Sequence, residues 1–222
     1  MIYIIKHKEI EIPKIEGYKE LGVGECFKGH KDNINELNPY LNEETGMYDI
    51  WKNYKDEIKG QIQYRKHLDV DGKFLPYDRA KELLKDFDII ATTPYVVGDG
   101  IYHNLRGEIG EEPIKQVLDK YYYRLIETEP KLEEYFNTNY FNPGNMFICK
   151  KEIYDAYCEW LFPIMIPLAE QFAKEDLNCG KTRMMGYIGE RLLTYWINKN
   201  DLKVKTFDYV ITGERLWLNA VL

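Results

Sequence analysis

Residues Asn38 to Leu68 read NPYLNEETGMYDIWKNYKDEIKGQIQYRKHL, and this stretch decides the fold. Asn38 can cap a helix, Pro39 suits a first helical position, and Glu43 and Glu44 sit favourably at the positive end of a helix dipole. Leu41, Thr45, Tyr48 and Trp51 recur at helical spacing, which predicts one buried face. After Lys59-Gly60 the period drops to two, with Ile62 and Tyr64 on one face and Gln61, Gln63 and Arg65 on the other. The stretch therefore predicts one helix feeding one strand that delivers Tyr64, Arg65 and Lys66 to its carboxyl end. In an open α/β sheet, ligands collect at that edge.

The rest of the chain agrees with an α/β sheet. Ile2-Tyr3-Ile4-Ile5 is a short apolar run that reads as a buried first strand, and Lys6-His7-Lys8 follows as a basic loop that can meet a diphosphate or simply end the strand in solvent. Tyr18 to Val23 reads as a short strand, Tyr77 to Asp86 as a helix and Phe87 to Ala91 as a second buried strand. Gly22-Val23-Gly24 lacks the third glycine and the immediate helix of a dinucleotide fingerprint, which excludes a Rossmann reading. Thr92 to Gly110 reads as a long polar loop. Helical patterns follow at Glu111 to Ile126 and Pro130 to Phe136, then a strand around Asn145 to Cys149. The apolar stripe of Lys151 to Ala173 is core, with a bend expected from Pro163 and Pro167. A last helix spans about Met184 to Asn198, and Leu202 to Thr212 closes the chain as a strand.

Length and composition fit one domain of 222 residues with a sizeable core, since no Gly/Ser or Pro-rich linker divides it. The net charge of -7, with no dense lysine or arginine block, argues against a nucleic-acid partner. Cys26, Cys149, Cys158 and Cys179 form no C-x-x-C pair, and no leader pattern precedes them, so they read as reduced thiols of a cytoplasmic protein. Trp160 to Ala169 is too short and too proline-broken to span a bilayer, which leaves room for a loose attachment at the inner face of a membrane. The 19 tyrosines suit sugar stacking, although tyrosine is also common in ordinary cores and surfaces.

Few residues carry obvious chemistry. No Ser-His-Asp or Cys-His order stands out, and the histidines lack metal-ligand spacing. Asp69-Val70-Asp71 follows a strand end and precedes Gly72, a setting in which two carboxylates can hold a divalent cation, manganese or magnesium, against phosphates, or form a solvated turn. Asp86-Phe87-Asp88 enters a strand and reads as structural. Glu190-Arg191 lies on the last helix, preceded by Gly186-Tyr187-Ile188-Gly189. Glycines are disfavoured inside a helix, and a close approach to that backbone is one explanation for them.

Taken in order, several segments resemble one bacterial family. They are Asp32-Asn33-Ile34, Asn38-Pro39, Glu43, Thr45, Tyr48, Trp51-Lys52-Asn53, Tyr64-Arg65-Lys66, Asn145 to Ile148, Tyr157 to Phe162 and Gly186 to Leu193. The family was long labelled a domain of unknown function; its members occur in capsular and exopolysaccharide clusters and are similar to galactofuranosyltransferases of the GT-A type. The opening Ile-Tyr-Ile-Ile-Lys-His-Lys resembles the family's start. Its strand motif ordinarily reads His-Tyr-Arg-Arg, where this chain has Gln63-Tyr64-Arg65-Lys66, and its last-helix Ser-Glu-Arg is Gly189-Glu190-Arg191 here. Arginine's fork and lysine's point charge are not interchangeable, so the first departure bears on which donor is taken.

The resemblance implies a single GT-A-like nucleotide-sugar-binding domain of the α/β class, with a central mixed sheet flanked by helices. It implies a glycosyltransferase that moves a sugar from a nucleoside-diphosphate donor, uridine-linked and with galactofuranose as a candidate, to a glycan or lipid-linked glycan acceptor. On that reading Lys6, His7, Tyr64, Arg65 and Lys66 bind the donor with Arg191 as a helper at the diphosphate, Glu190 is the base, Asn145 orients the acceptor, and Asp69 and Asp71 hold any metal. A non-catalytic sugar or nucleotide-sugar binding protein of a polysaccharide assembly is the alternative, and a nucleotide-sugar hydrolase a third reading.

Overall fold

The structure is a computed structural model, and residues 1–110, 112–174 and 183–211 are described. Glu111, Cys179 and Thr212, named above, lie outside them. In chain order the elements are β1 (Ile2–Lys6), β2 (Tyr18–Gly22), α1 (Asn38–Leu41), α2 (Glu44–Asn53), β3 (Ile58–Gln63), β4 (Lys66–Val70), β5 (Lys73–Phe74), α3 (Tyr77–Leu83), β6 (Ile89–Thr92), β7 (Tyr95–Val96), α4 (Ile101–Glu108), α5 (Glu112–Thr128), α6 (Leu132–Phe136), β8 (Tyr140–Phe141), β9 (Phe147–Lys150), α7 (Lys151–Lys174), α8 (Met184–Lys199), β10 (Val204–Phe207) and β11 (Tyr209–Ile211).

The main sheet runs β10-β6-β9-β3-β1-β2, with β4, β5 and β11 attached beside β3 and β7-β8 forming a separate pair. β1 pairs parallel with both β2 and β3, β10 pairs parallel with β6, and β9 runs antiparallel between β3 and β6. The loops after β1, β2, β3 and β6 and the turn before β9 therefore gather at one edge. This is the expected mixed sheet flanked by helices. Strand alternation divides the core: Tyr3 and Ile5 join the larger cluster beneath α2, α7 and α8, while Ile2, Ile4 and Ile62 pack on the other face with Leu84 and Phe74.

Three expectations are corrected. The helix of the organising stretch is two helices, broken at Asn42 (φ 52, ψ -125), and Asn38 braces the break instead of capping the start: its Nδ2 donates to Asn42 O and Thr45 Oγ1, each at 2.8 Å. The residues from Thr92 to Gly110 are not one polar loop, since β7 and α4 lie within them and Ile101 and Leu105 are buried one helical turn apart. The final strand is two, β10 and β11, with Asp208 between them.

Gln61, assigned by alternation to a polar face, is buried because α7 covers it: Tyr154 Oη donates to its Oε1 at 2.7 Å, and its Nε2 donates to Asn145 O at 2.7 Å. The glycines of α8 are explained by the α1–α2 break. A Cβ on Gly189 would stand 1.4 Å from Glu44 Oε1, and one on Gly186 would stand 2.4 Å from Asn42 Nδ2. Glycine at both positions lets α8 close onto the break.

Because Glu44 is fully buried and has nowhere to swing, Gly189→Ala is expected to cost about 1–3 kcal/mol, the usual range for overpacking. Glu44→Ala should recover part of that cost in a double-mutant cycle read by denaturant unfolding. An unchanged cost in the Glu44→Ala background would show that the contact does not set the helix spacing.

Candidate active site

Two cavities open at the gathered edge. The first, about 710 Å³, is walled by Ile5 in β1, His7 and Lys8 after it, Val23 to Glu25 after β2, Asn35, Glu36, Asn38 and Pro39 before and in α1, and Tyr64. The second, about 520 Å³, is walled by Lys66, Tyr95, Glu108, Phe141, Pro143, Gly186, Tyr187, Glu190, Arg191, Tyr209 and Ile211. Asn42, Glu43, Gln63, Arg65 and Arg183 line both, so the two are lobes of one cleft and these five residues form its seam.

The first lobe is cationic on one side. Tyr64 is buried, with His7 edge-on to its ring at 5.1 Å, Lys8 at 5.8 Å and Arg65 at 5.2 Å from its centroid. Burial, reinforced by Arg183, Arg65 and Lys8, holds the His7 imidazolium below the usual histidine range. The positive field of the lobe is the second cause of that shift. Tight backbone helps to form the wall: Gly24 has φ +59, donates its N–H to Asn35 Oδ1 at 2.7 Å, and would place a Cβ 2.7 Å from Asn38 Oδ1.

At the seam, Arg183 Nε donates to Asn42 Oδ1 at 2.8 Å, and its Nη2 lies 3.5 Å from Glu43 Oε2. Gln63 Nε2 donates to Glu43 Oε1 at 3.1 Å and to Gly144 O at 2.9 Å. Asn145 Nδ2 reaches the same Glu43 oxygen at 3.5 Å.

The second lobe holds Glu190, which accepts the Gly144 N–H on Oε1 and faces Arg191 Nη1 with Oε2 at 3.3 Å. Burial pushes the Glu190 carboxyl above the usual carboxylate range, Arg191 opposes the shift, and Glu43 adds to it. Arg191 is fully buried; it donates to Glu108 Oε2 at 2.9 Å, Asn104 Oδ1 at 3.0 Å and Tyr187 O at 2.9 Å, and lies 4.4 Å from the Phe141 centroid. Arg191 is enclosed while its partner Glu108 keeps 41% of its side chain exposed, so Arg191 first of all builds the wall.

Residues 1–201 match the family described as a domain of unknown function, DUF4422. The chain belongs to that family. Among solved structures it is similar to the apo structure of WbbM, described as a bifunctional glycosyltransferase, with a TM-score of 0.78, 24% identity, and coverage of 96% of this chain and 45% of that one. At that identity the likeness is one of fold, and this chain spans less than half the length of WbbM. A comparison with curated proteins gives no match.

The cleft of this DUF4422 chain gathers His7, Tyr64, Arg65, Lys66, Glu190 and Arg191 from the sequence-predicted set. Lys6 is not among them: alternation turns it to the other side of β1, where it meets Glu20 at 2.7 Å and Glu9 at 3.3 Å. Asn145 is buried behind Glu43 and lines neither lobe. Asp69 and Asp71 sit at the β4–β5 turn, where Asp69 Oδ2 accepts the Gly72 N–H at 3.3 Å and Asp71 has φ 54. Neither lines the cleft, and among the described residues no three His, Cys, Asp or Glu side chains gather as a metal site. Asp69 and Asp71 thus stand apart from the side chains that gather in the cleft. Sequence reasoning missed Asn42, Glu43 and Arg183 as cleft residues, and named Lys8 only within the basic loop after β1. Glu43 was legible only as a member of the resembling segments; Arg183, from outside them, carried no signal.

Glu44, beside this site, is wholly buried, and among the described residues neither of its oxygens has a hydrogen-bond partner. Burial drives its carboxyl well above the usual range and Glu43 adds to the shift, with the Asn145 amide opposing. A carboxyl whose pKa is raised on folding gives stability that is fully present below its unfolded value and is lost as pH rises through the folded one. Glu44→Gln, which keeps the neutral shape, is therefore expected to raise the melting temperature at pH 8 and to change it much less near pH 4. An equal effect at both pH values would contradict a protonated Glu44.

Proposed function

We propose that this DUF4422 chain is a glycosyltransferase that takes a nucleoside-diphosphate sugar, uridine-linked and with galactofuranose as the candidate sugar, and extends a capsular or exopolysaccharide glycan, free or lipid-linked. The observation that carries the reading is the seam, where a lobe lined on one side by Lys8, Arg65 and Arg183 meets the lobe that holds Glu190 in one cleft. Likeness of fold to a bifunctional glycosyltransferase supports the same class of chemistry.

In this reading the first lobe takes the donor. Lys8, Arg65 and Arg183 offset the diphosphate charge, the two arginines through forked contacts that match phosphate oxygens, and His7 offers a ring N–H. The acceptor enters the second lobe, where Tyr95, Phe141, Tyr187 and Tyr209 offer ring faces to a sugar. Glu190 removes the proton of the acceptor hydroxyl while that oxygen bonds to the anomeric carbon. The bond from that carbon to the diphosphate breaks, and its electron pair leaves with the phosphate oxygen beside the cations. Burial suits Glu190 to this task, because a raised pKa makes it a stronger base than an exposed glutamate. The donor's charge is met by side chains, and no step depends on Asp69 or Asp71. Among the described residues no helix is long and apolar enough to cross a membrane. This reading places the protein in the cytoplasm, where a lipid-linked acceptor is met at the inner face of the membrane.

Gln63 and Lys66 favour a second reading, donor binding without chemistry, since they replace the histidine and second arginine of the strand motif. A purified-protein assay against several acceptors separates the two. Glu190→Gln is expected to lower turnover by about 10²–10⁴-fold with donor affinity kept, the range for loss of a general base; unchanged turnover removes Glu190 from that role. Arg65→Ala should weaken donor binding about tenfold or more, as for loss of a charged hydrogen bond. An unaltered dissociation constant would make the strand-end arginine structural.

A further inference from the structure

We infer that Glu43 reads the hydroxyls of the transferred sugar and is the residue that sets donor-sugar specificity. The inference rests on the glycosyltransferase reading above. In that reaction the sugar spans the break between diphosphate and acceptor, so it must lie at the seam of the two lobes. Its hydroxyls there need acceptors.

The seam offers few. Arg65 and Arg183 only donate. Asn42 is committed, its Oδ1 to Arg183 and its Nδ2 to Tyr40 O at 3.2 Å. Glu43 is the anionic seam residue, with 13% of its side chain exposed. Gln63 and Asn145 occupy its Oε1, and Arg183 approaches its Oε2. A carboxylate has about four acceptor positions. The three donors hold Glu43 in one orientation and leave Oε2 with capacity for a sugar hydroxyl.

Gln63 adds a second acceptor. Its amide nitrogen faces two acceptors, Glu43 Oε1 and Gly144 O, which fixes the amide orientation and leaves its own Oε1 for the cleft. Glu190 is placed differently: it lines only the second lobe, away from the seam. The two carboxylates thus divide between proton removal and sugar recognition. A rigid, half-desolvated acceptor discriminates strongly, because a sugar that points its hydroxyl elsewhere leaves the acceptor unpaired.

The test is calorimetric titration of the full chain with UDP, UDP-glucose, UDP-galactose and UDP-galactofuranose. The wild type should prefer one nucleotide sugar over the others by at least about tenfold. Glu43→Gln, which turns an acceptor oxygen into a donor, should keep UDP affinity within about twofold while the preference among sugars collapses to about threefold or less. Gln63→Ala, which frees Glu43 from its fixed orientation, should lower the preference partway. A wild type without preference, or a Glu43→Gln protein that binds UDP and keeps the wild-type ratio, overturns the inference and leaves the transferase reading standing. Binding of none of the four by the wild type overturns the donor reading itself, and the inference falls with it.

Discussion

The constraint on which the site depends is the close approach of α8 to the break between α1 and α2. Two glycines on one face of α8 admit the side chains of Asn42 and Glu44, and no larger residue fits at either position without displacing them. This contact brings Glu190, one residue beyond Gly189, to the same cleft as Glu43, one residue before Glu44. It also places Asn42 where Arg183 can bond it. Without the break at Asn42, a continuous helix would carry Glu43 and Glu44 along its surface, and the seam would have no carboxylate.

The second organising feature is the unequal treatment of charge. Glu44 is enclosed without hydrogen-bond partners among the described residues, Glu190 is enclosed with one backbone donor and one arginine, and Glu43 is surrounded by side-chain donors. Burial raises the carboxyls of Glu44 and Glu190 above the usual range, a pattern that recurs where acid–base chemistry is arranged. Opposite them, His7, Lys8 and Arg65 converge on Tyr64 at the ends of β1 and β3. These strands are parallel neighbours, so the fold alone brings the two basic loops together.

Much of this was legible in the sequence. The change of period after Gly60 located β3, and the strand-end residues Tyr64, Arg65 and Lys66 do reach the cleft. Glu190 was legible because a charged pair follows two glycines that a helix would otherwise avoid. Other features were hidden for physical reasons. Asn42 looks like an ordinary helical residue until tertiary packing forces a positive φ, which asparagine tolerates better than most residues. Glu44 satisfies a helix-dipole argument equally well whether it is exposed or buried. α4 was concealed by Gly98, Gly100, Gly107 and Gly110, which read as loop, although Ile101 and Leu105 carried the helical spacing. Lys6 illustrates the opposite failure: a basic run at a strand end looks uniform, but alternation sends its neighbours to different sides of the sheet.

The central claim is that the cationic lobe binds a nucleoside diphosphate through its own side chains. The most direct measurement is a thermal-shift panel of nucleoside diphosphates and nucleotide sugars, run with manganese, with magnesium and with chelator, because a ligand that prefers the folded state raises its apparent stability. The account predicts a concentration-dependent rise with uridine diphosphate and with at least one of its sugars, persisting in chelator. No rise across the panel at high ligand concentration would contradict it.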